Sequence, residues 1–306
     1  HKHMIFKPSA KSIYFRFLFG LSITGFLTYG LLYNVKFDQL KSMLVSWDLT
    51  NLFLALLCAL IAIFIRGVRW ALIVNQLGTI RYTLAIHTAH AGIMLNAVMP
   101  LRIGDIYKVM FIGRTGKFTY NKALVALGFE RLLDLIILYS FFLLTLFMMG
   151  KPDSVPVNLF GQNIPKTFIS NSFDSLAIII IIVVFILLFL QSRFVMKCLI
   201  SAYFRSKGLF HKGLFKLYMF QKSFMGAIRL IRSPFKLSFI CILTLMIWLL
   251  FVLSVYIVSY GVEGVRLDFI HIIFVTSVAL LSVQLPSVPG GWGLFETGGV
   301  LAIVSY

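Results

Sequence analysis

The chain has 306 residues, of which 60% are hydrophobic and 12% charged, and its mean hydropathy is +0.96. No soluble domain has that much apolar surface to hide, so the composition excludes the soluble classes and reads as a polytopic membrane protein. A formal net charge of +18 would point to nucleic acid in a soluble chain; here basic loops facing anionic headgroups account for it, and no nucleic-acid partner is expected.

The positive-inside rule orients the predicted elements in chain order. His1-Lys2-His3 precedes Met4 and is set aside. Lys7, Lys11 and Arg16 have no acidic neighbour, which puts the N-terminus inside, ahead of a membrane helix over residues 13–33. The loop 34–48 balances Lys36 and Lys41 against Asp38 and Asp48 and lies outside. A second helix, 49–66, is followed by Arg66, Arg69 and Arg81, which return the chain to the inside. Residues 82–113 have an apolar half, a break at Pro100 and a polar half. The orientation closes only if this stretch enters and leaves on one side, as a re-entrant hairpin. Helix 122–149 then leads to the outer loop 150–175, and helix 176–192 returns inward.

Residues 193–236 hold ten Lys and Arg and no acid, interleaved with Phe204, Phe210, Phe215, Tyr218, Phe220 and Phe224. That pattern suits a cytoplasmic helix lying in the headgroup plane, either as an anchor or as a recruiter of anionic lipid near a lateral gateway. Helix 236–260 leads to an outer turn with Glu263, Arg266 and Asp268. Residues 269–306 enter from outside, break at Pro286-Ser-Val-Pro289-Gly290-Gly291 and resume helix at Gly293. The apolar run still continues at Tyr306, so a further helix is expected beyond it. Trp47, Trp70, Tyr82 and Tyr260 fall at span ends and read as interface anchors. Cys58, Cys198 and Cys241 show no CxxC spacing, and neither a disulfide framework nor a metal site is expected.

The expected fold is therefore an all-α integral membrane protein, a helical bundle in one transmembrane domain spanning 1–306. Two inverted-topology repeats are read within it. Asn96-Ala-Val-Met-Pro100-Leu-Arg102-Ile-Gly104-Asp105 and Ser282-Val-Gln-Leu-Pro286-Ser-Val-Pro289-Gly290-Gly291 are both apolar stretches broken by Pro with Gly four residues later. Each follows the start of an apolar span by about the same distance, Leu49 to Pro100 and Lys236 to Pro286. Repeat one covers about 10–149 with hairpin 82–113; repeat two covers about 176–306 with hairpin 269–306. Broken helices approaching from opposite faces place a transporter site near the midplane.

Ionisable groups inside membrane segments are costly and usually functional. Asp105, Glu130, Asp134 and Glu296 qualify, with Arg102, Lys108 and Arg131 as basic companions. Arg102 and Asp105 are three apart, and Glu130 and Asp134 four apart, so each pair shares a helix face. Two carboxylates so placed in a dry site would leave one able to carry a proton at neutral pH. The plainer reading is internal pairing, Glu130 with Arg102 and Asp134 with Arg131. In the functional reading, Arg102 holds a phosphate with its planar fork. The half-helix N-termini after Pro100 and after Gly290-Gly291 add N–H donors. Glu296 is then a proton-coupling acid or a partner of Arg102. His87 and His90 are three apart and read as a polar cavity lining, since a metal would need more ligands.

At these residues the chain resembles the lysylphosphatidylglycerol synthase/flippase transmembrane domain family. The likeness rests on Asn96 to Asp105, Gly113-Arg-Thr-Gly116, Phe129-Glu130-Arg131-Leu-Leu-Asp134 and Leu285-Pro-Ser-Val-Pro-Gly-Gly-Trp-Gly-Leu-Phe-Glu296, and covers roughly residues 10–306. It implies a bacterial or archaeal inner-membrane protein, multi-pass with a cytoplasmic N-terminus, that moves lipids between leaflets. Aminoacylated phospholipids and polyprenyl-linked intermediates are among the substrates the family implies. The family pattern maps onto Pro100, Leu101, Arg102, Gly104 and Asp105; onto Glu130, Arg131 and Asp134; and onto Pro289, Gly290, Gly291, Gly293 and Glu296. Asp105 departs from the Glu more usual there. The aminoacyl-transfer domain of the synthases has no room in this chain, so lysyl transfer is not inherited.

The leading expectation is a lipid translocase for an anionic, phosphate-bearing lipid, not an enzyme and without a cofactor. Arg102, Gly104, Asp105, Lys108, Arg131, Gly290, Gly291 and Gly293 would bind the headgroup. Glu130, Asp134 and Glu296 would line a polar path or couple protons. No Walker P-loop is present, which argues against direct ATP drive. The alternatives are a membrane enzyme acting on a lipid phosphate, and a non-catalytic partner presenting lipid to a separate synthase. A homo-oligomer is compatible with all three.

Overall fold

The structure, a computed structural model, describes residues 48–99, 102–115, 118–149, 157–159, 162–164, 234–261, 267–284 and 289–304, with single positions at 22, 29 and 201. Apart from those single positions, the expected helices 13–33 and 176–192 and the basic segment 193–236 up to residue 233 lie outside the described residues, as do Pro100 and Pro286. Seven α-helices are described: α1 Leu49–Leu77, α2 Tyr82–Val98, α3 Ile103–Arg114, α4 Tyr120–Met149, α5 Pro234–Tyr260, α6 Phe269–Ser282 and α7 Leu294–Val304. A 3₁₀ turn, Pro289–Gly291, precedes α7. Between α4 and α5, in the expected outer loop, strands β1 (Val157–Leu159) and β2 (Gln162–Ile164) pair antiparallel, Asn158 opposite Asn163.

The helix ends follow local chemistry. Asp48 caps α1 by accepting the Thr50 N–H at 2.9 Å, and Gly78 closes it with its N–H on Val74 O. Pro234 opens α5, at a position where its missing N–H costs no helix bond. Helices α1, α4 and α5 are long and apolar enough to cross a membrane. Their outward faces carry large exposed apolar side chains such as Leu52, Phe53, Leu56, Leu60 and Phe64 on α1 and Phe147 on α4. In water such faces would be penalised; against acyl chains they are matched.

Helix α1 corrects the sequence reading. It runs on to Leu77, so Arg66 and Arg69 lie within the helix and not in an inner loop. Trp70 is fully buried and is no interface anchor. The positive-inside argument fails here because Arg69 finds carboxylates on another helix, a compensation that local charge cannot reveal. Tyr82 and Tyr260 are exposed at helix ends, as anchors are. Trp47 and Cys198 lie outside the described residues.

Two helical hairpins are described. In the first, Asn96 of α2 meets Gly104 and Asp105 of α3, and Gly92 meets Lys108, so the helices run antiparallel. A Cβ on Gly104 would stand 1.8 Å from Gly92 O, so the close approach requires glycine. In the second, Gly298 of α7 meets Ser282 and Ala279 of α6, while Ala302 and Phe274 line one small cavity further back. The turn into α7 is made by three consecutive-region glycines with positive φ: Gly290 (63°), Gly291 (75°) and Gly293 (83°). In chain order a long helix precedes each hairpin, α1 before α2–α3 and α5 before α6–α7.

Two apolar cores stack along α4. One joins Trp70, Ile73 and Val74 of α1 to Ala85, Ile112, Ala126 and Leu133. The other joins Leu138 and Phe142 of α4 to Ile247, Val252, Phe274 and Ala302. Glu130, Arg131 and Asp134 sit at the seam. At about 1.5 Å rise per residue, Glu130 is roughly 15 Å into α4, a third of the way along it.

Candidate functional site

The tips of the two hairpins meet. Arg102 N-caps α3 in the left-handed conformation, φ 54° and ψ 43°, the one non-glycine with positive φ among the described residues. Its Nη2 donates to Val283 O at 2.6 Å and to Gln284 Oε1 at 3.2 Å, both just past α6. On the same junction, a Cβ on Gly290 would come within 3.2 Å of Ala97 O. Left-handed backbone costs a branched-out side chain of order 1 kcal/mol or more. Arg102 is thus held by the contact between tips and not by local preference.

Beside this junction lies a cavity of about 270 Å³. Its wall takes Arg66 from α1; Ala89, Ile93, Asn96 and Ala97 from α2; Arg102, Asp105 and Lys108 from α3; Glu130 and Arg131 from α4; and Val283, Gly290 and Gly291 from the second hairpin. Of the residues expected from sequence, Arg102, Asp105, Lys108, Glu130, Arg131, Gly290 and Gly291 are therefore brought to one place. Gly104 is packed between α2 and α3, its N–H given to Asn96 Oδ1 at 2.8 Å. Gly293 and Glu296 stand back from the cavity: Glu296 Oε2 accepts the Gly293 N–H at 2.7 Å and caps α7. The expected pairing of Glu296 with Arg102 is not formed, because the short reach to the helix N-terminus satisfies the carboxylate first.

Behind the wall, the carboxylates form a lattice with cations between them. Arg69, fully buried, donates to both oxygens of Asp134 at 2.6 and 3.2 Å, to Glu130 at 3.2 Å and to Thr244 Oγ1 at 3.1 Å. Lys108 Nζ reaches Glu130 at 2.6 Å and stands 4.0 Å from the centroid of the Trp70 ring. Arg131 pairs with Asp105 at 2.7 Å and, more loosely, with Asp134 at 3.6 Å. Asn96 Nδ2 also donates to Asp105 at 3.2 Å, and Trp248 Nε1 donates to Asp134 at 3.1 Å.

These contacts correct the expected pairings. Glu130 goes to Arg69 and Lys108, not Arg102. Asp134 takes Arg69 as its main partner, with Arg131 secondary. Arg102 and Asp105 make no ion pair despite their spacing, since Asp105 turns to Arg131 while Arg102 leaves the helix axis in its left-handed cap. The proton-carrier argument assumed two adjacent carboxylates without cations between them; Arg69 bridges both.

Arg66, Arg69 and Trp248 were missed by sequence reasoning. A signal existed: Arg66, Arg69 and Trp70 fall three and four apart, and no Gly or Pro breaks the helix between Gly67 and Gly78. Arg66 forms no ion pair among the described residues; its guanidinium lies 5.0 Å from the Trp248 ring centroid. The histidines do not line the cavity. His87 is exposed, and His90 donates to Ile63 O at 3.2 Å on the side facing α1.

Arg66, Arg69, Arg102, Lys108 and Arg131 give five positive charges around the cavity, and Asp105, Glu130 and Asp134 three negative ones. Two positive charges remain over, and the two of these five cations without a carboxylate partner among the described residues, Arg66 and Arg102, both face the cavity. Arg131 adds an Nε–H with no hydrogen-bond partner among them. Such an arrangement favours an oxyanion that several N–H donors can share.

Residues 16–306 match the model of a family described as the lysylphosphatidylglycerol synthase TM region. Neither a curated protein nor a solved structure matches the chain.

Proposed function

The chain belongs to the family of the lysylphosphatidylglycerol synthase TM region, and on that premise we propose that it translocates an anionic, phosphate-bearing lipid between the leaflets of a cell membrane. The observation that carries the reading is the surplus of positive charge in a cavity closed by two hairpin tips. A lipid phosphate would seat against Arg102 with its acyl chains directed to the apolar outer faces of the bundle. The carboxylates, all engaged in ion pairs, act as a scaffold that fixes the cations and lines the polar path.

The hairpins are read as re-entrant, entering from opposite faces as inverted repeats. Their helices have 17, 12, 14 and 11 residues, or about 16–26 Å at 1.5 Å per residue. Each is shorter than the roughly 30 Å hydrocarbon core. On this reading the tips meet in the interior and the cavity lies near the midplane, where such sites occur. Rocking of one hairpin against the other would expose the cavity to either side, with the N-terminus on the cytoplasmic face.

An enzyme acting on a lipid phosphate is the weaker reading. General-base chemistry needs an available carboxylate, and both that line the cavity, Asp105 and Glu130, are held by a cation. The test is reconstitution into liposomes with a fluorescent anionic lipid, read by quenching from outside, beside native mass spectrometry of the parent and Arg102→Ala. Faster lipid flipping in the parent, and a retained anionic lipid lost in the variant, are the expected results. Equal retention of bulk lipid by both proteins would sink the Arg102 site.

A further inference from the structure

We propose that Arg66 and Arg102 form a two-guanidinium clamp that selects a headgroup carrying two negative charges on phosphate, a terminal phosphomonoester or a diphosphate, over a singly charged phosphodiester. This rests on the anionic-lipid reading above and sharpens it.

Three observations converge. First, both arginines line the one cavity, from α1 and from the start of α3, and neither has a carboxylate partner among the described residues. Second, the surplus is two charges and not one, and among the described residues no further acid pairs with either arginine. Of the ten acids, Asp38, Asp48, Asp153, Asp174, Glu263 and Asp268 flank the apolar spans, and Glu296 is engaged by the Gly293 N–H. A phosphodiester would neutralise half of the surplus; a dianion neutralises all of it. Third, Arg66 is positioned from behind. Trp248 donates to Asp134 Oδ1 at 3.1 Å, which fixes the indole face on which the Arg66 guanidinium lies. Stacking of this kind offsets about 0.5–2 kcal/mol, less than the cost of desolvating a charge. An arginine so placed is completed by an anion.

The probe set is phosphatidic acid, phosphatidylglycerol, phosphatidylcholine and inorganic diphosphate, offered to the full chain in phosphatidylcholine nanodiscs at pH 8. A phosphomonoester is then dianionic, its second ionisation lying near about pH 6. The clamp predicts that phosphatidic acid outcompetes phosphatidylglycerol by on the order of tenfold or more, the worth of one additional charged hydrogen bond. Arg66→Gln should erase that preference and weaken binding of both anionic lipids, which Arg102 alone then holds. Arg66→Lys, which keeps the charge, should retain part of it, and a melting curve for each variant separates loss of preference from loss of fold. The parent's preference should also fade as pH falls below the second ionisation.

Equal binding of the two anionic lipids by the parent would overturn the clamp and leave the single-arginine reading standing. A folded Arg66→Gln variant that keeps the preference would overturn it as well. No anionic lipid binding above phosphatidylcholine would overturn both readings. Diphosphate displacing phosphatidic acid in an Arg66-dependent way would uphold the clamp. If it bound as tightly as the lipid, the site would belong to a free phosphate and the lipid reading would fall.

Discussion

Arg69→Met tests whether the carboxylate lattice is a scaffold. Arg69 is fully buried and touches Asp134 twice, Glu130 once and Thr244 once. Without it, Glu130 keeps Lys108 at 2.6 Å. Asp134 keeps only the Trp248 N–H and the distant Arg131 at 3.6 Å. A buried carboxylate so stripped costs about 3–5 kcal/mol. The double variant Arg69→Met with Asp134→Leu removes the stranded charge along with its partner. Buried ion pairs replaced by apolar side chains are often neutral, so the remaining loss should come from the orphaned Trp248 N–H, about 1–3 kcal/mol, since the Thr244 hydroxyl still donates to Ile240 O at 2.8 Å.

The assay is reversible denaturation in mixed micelles, with midpoints compared among the parent, both single variants and the double variant. The double-variant cycle should return a coupling of about 3 kcal/mol or more. Neither Arg69 nor Asp134 lines the cavity, so the double variant should also continue to flip lipid. Additive single effects, or an Arg69→Met protein within about 0.5 kcal/mol of the parent, would refute a buried lattice. A stable double variant that no longer flips lipid would refute its role as scaffold alone.

Three other outcomes are expected. Arg102→Ala should lower affinity for an anionic lipid by about one to two orders of magnitude, from the loss of charged hydrogen bonds worth roughly 1.5–3 kcal/mol; equilibrium binding in nanodiscs reads it. Gly104→Ala should destabilise the first hairpin by about 1–3 kcal/mol or more, because its Cβ meets Gly92 O at 1.8 Å; the same micelle titration checks it. Glu296→Gln keeps an acceptor for the Gly293 N–H, so stability and the pH profile of flipping should match the parent, whereas a displaced profile would reinstate Glu296 as a proton carrier.

Periodicity and breakers made most of the described fold legible. Helix α4 was expected over 122–149 and runs Tyr120–Met149; α5 was expected from 236 and starts at Pro234. The helix before Pro100 ends at Val98 and the next begins at Ile103, as the break predicted, and positive φ at Gly290 and Gly291 marks the turn into α7. What stayed hidden was long-range. The end of α1 was placed at the first arginine, since charge density is a good guide to a membrane boundary. It fails where a charge is paid by a residue 61 or 65 positions away, as Arg69 is by Glu130 and Asp134. Spacing likewise gave Arg102 and Asp105 a common face, but a single residue at φ 54° is enough to turn one of them elsewhere.

That same turn links the site to the fold. If residue 102 continued α3 as a regular helical residue, its side chain would follow the helix face toward Asp105 and be neutralised there. The left-handed cap takes it out of that reach and gives it two uncharged acceptors, Val283 O and Gln284 Oε1, on the opposing hairpin. Uncharged acceptors hold a guanidinium less tightly than an oxyanion does. A phosphate arriving in the cavity would therefore compete with the tip-to-tip contact for the same donors. In that sense the fold keeps Arg102 positioned by bonds weaker than the ones its ligand offers, and binding and parting of the tips draw on one side chain.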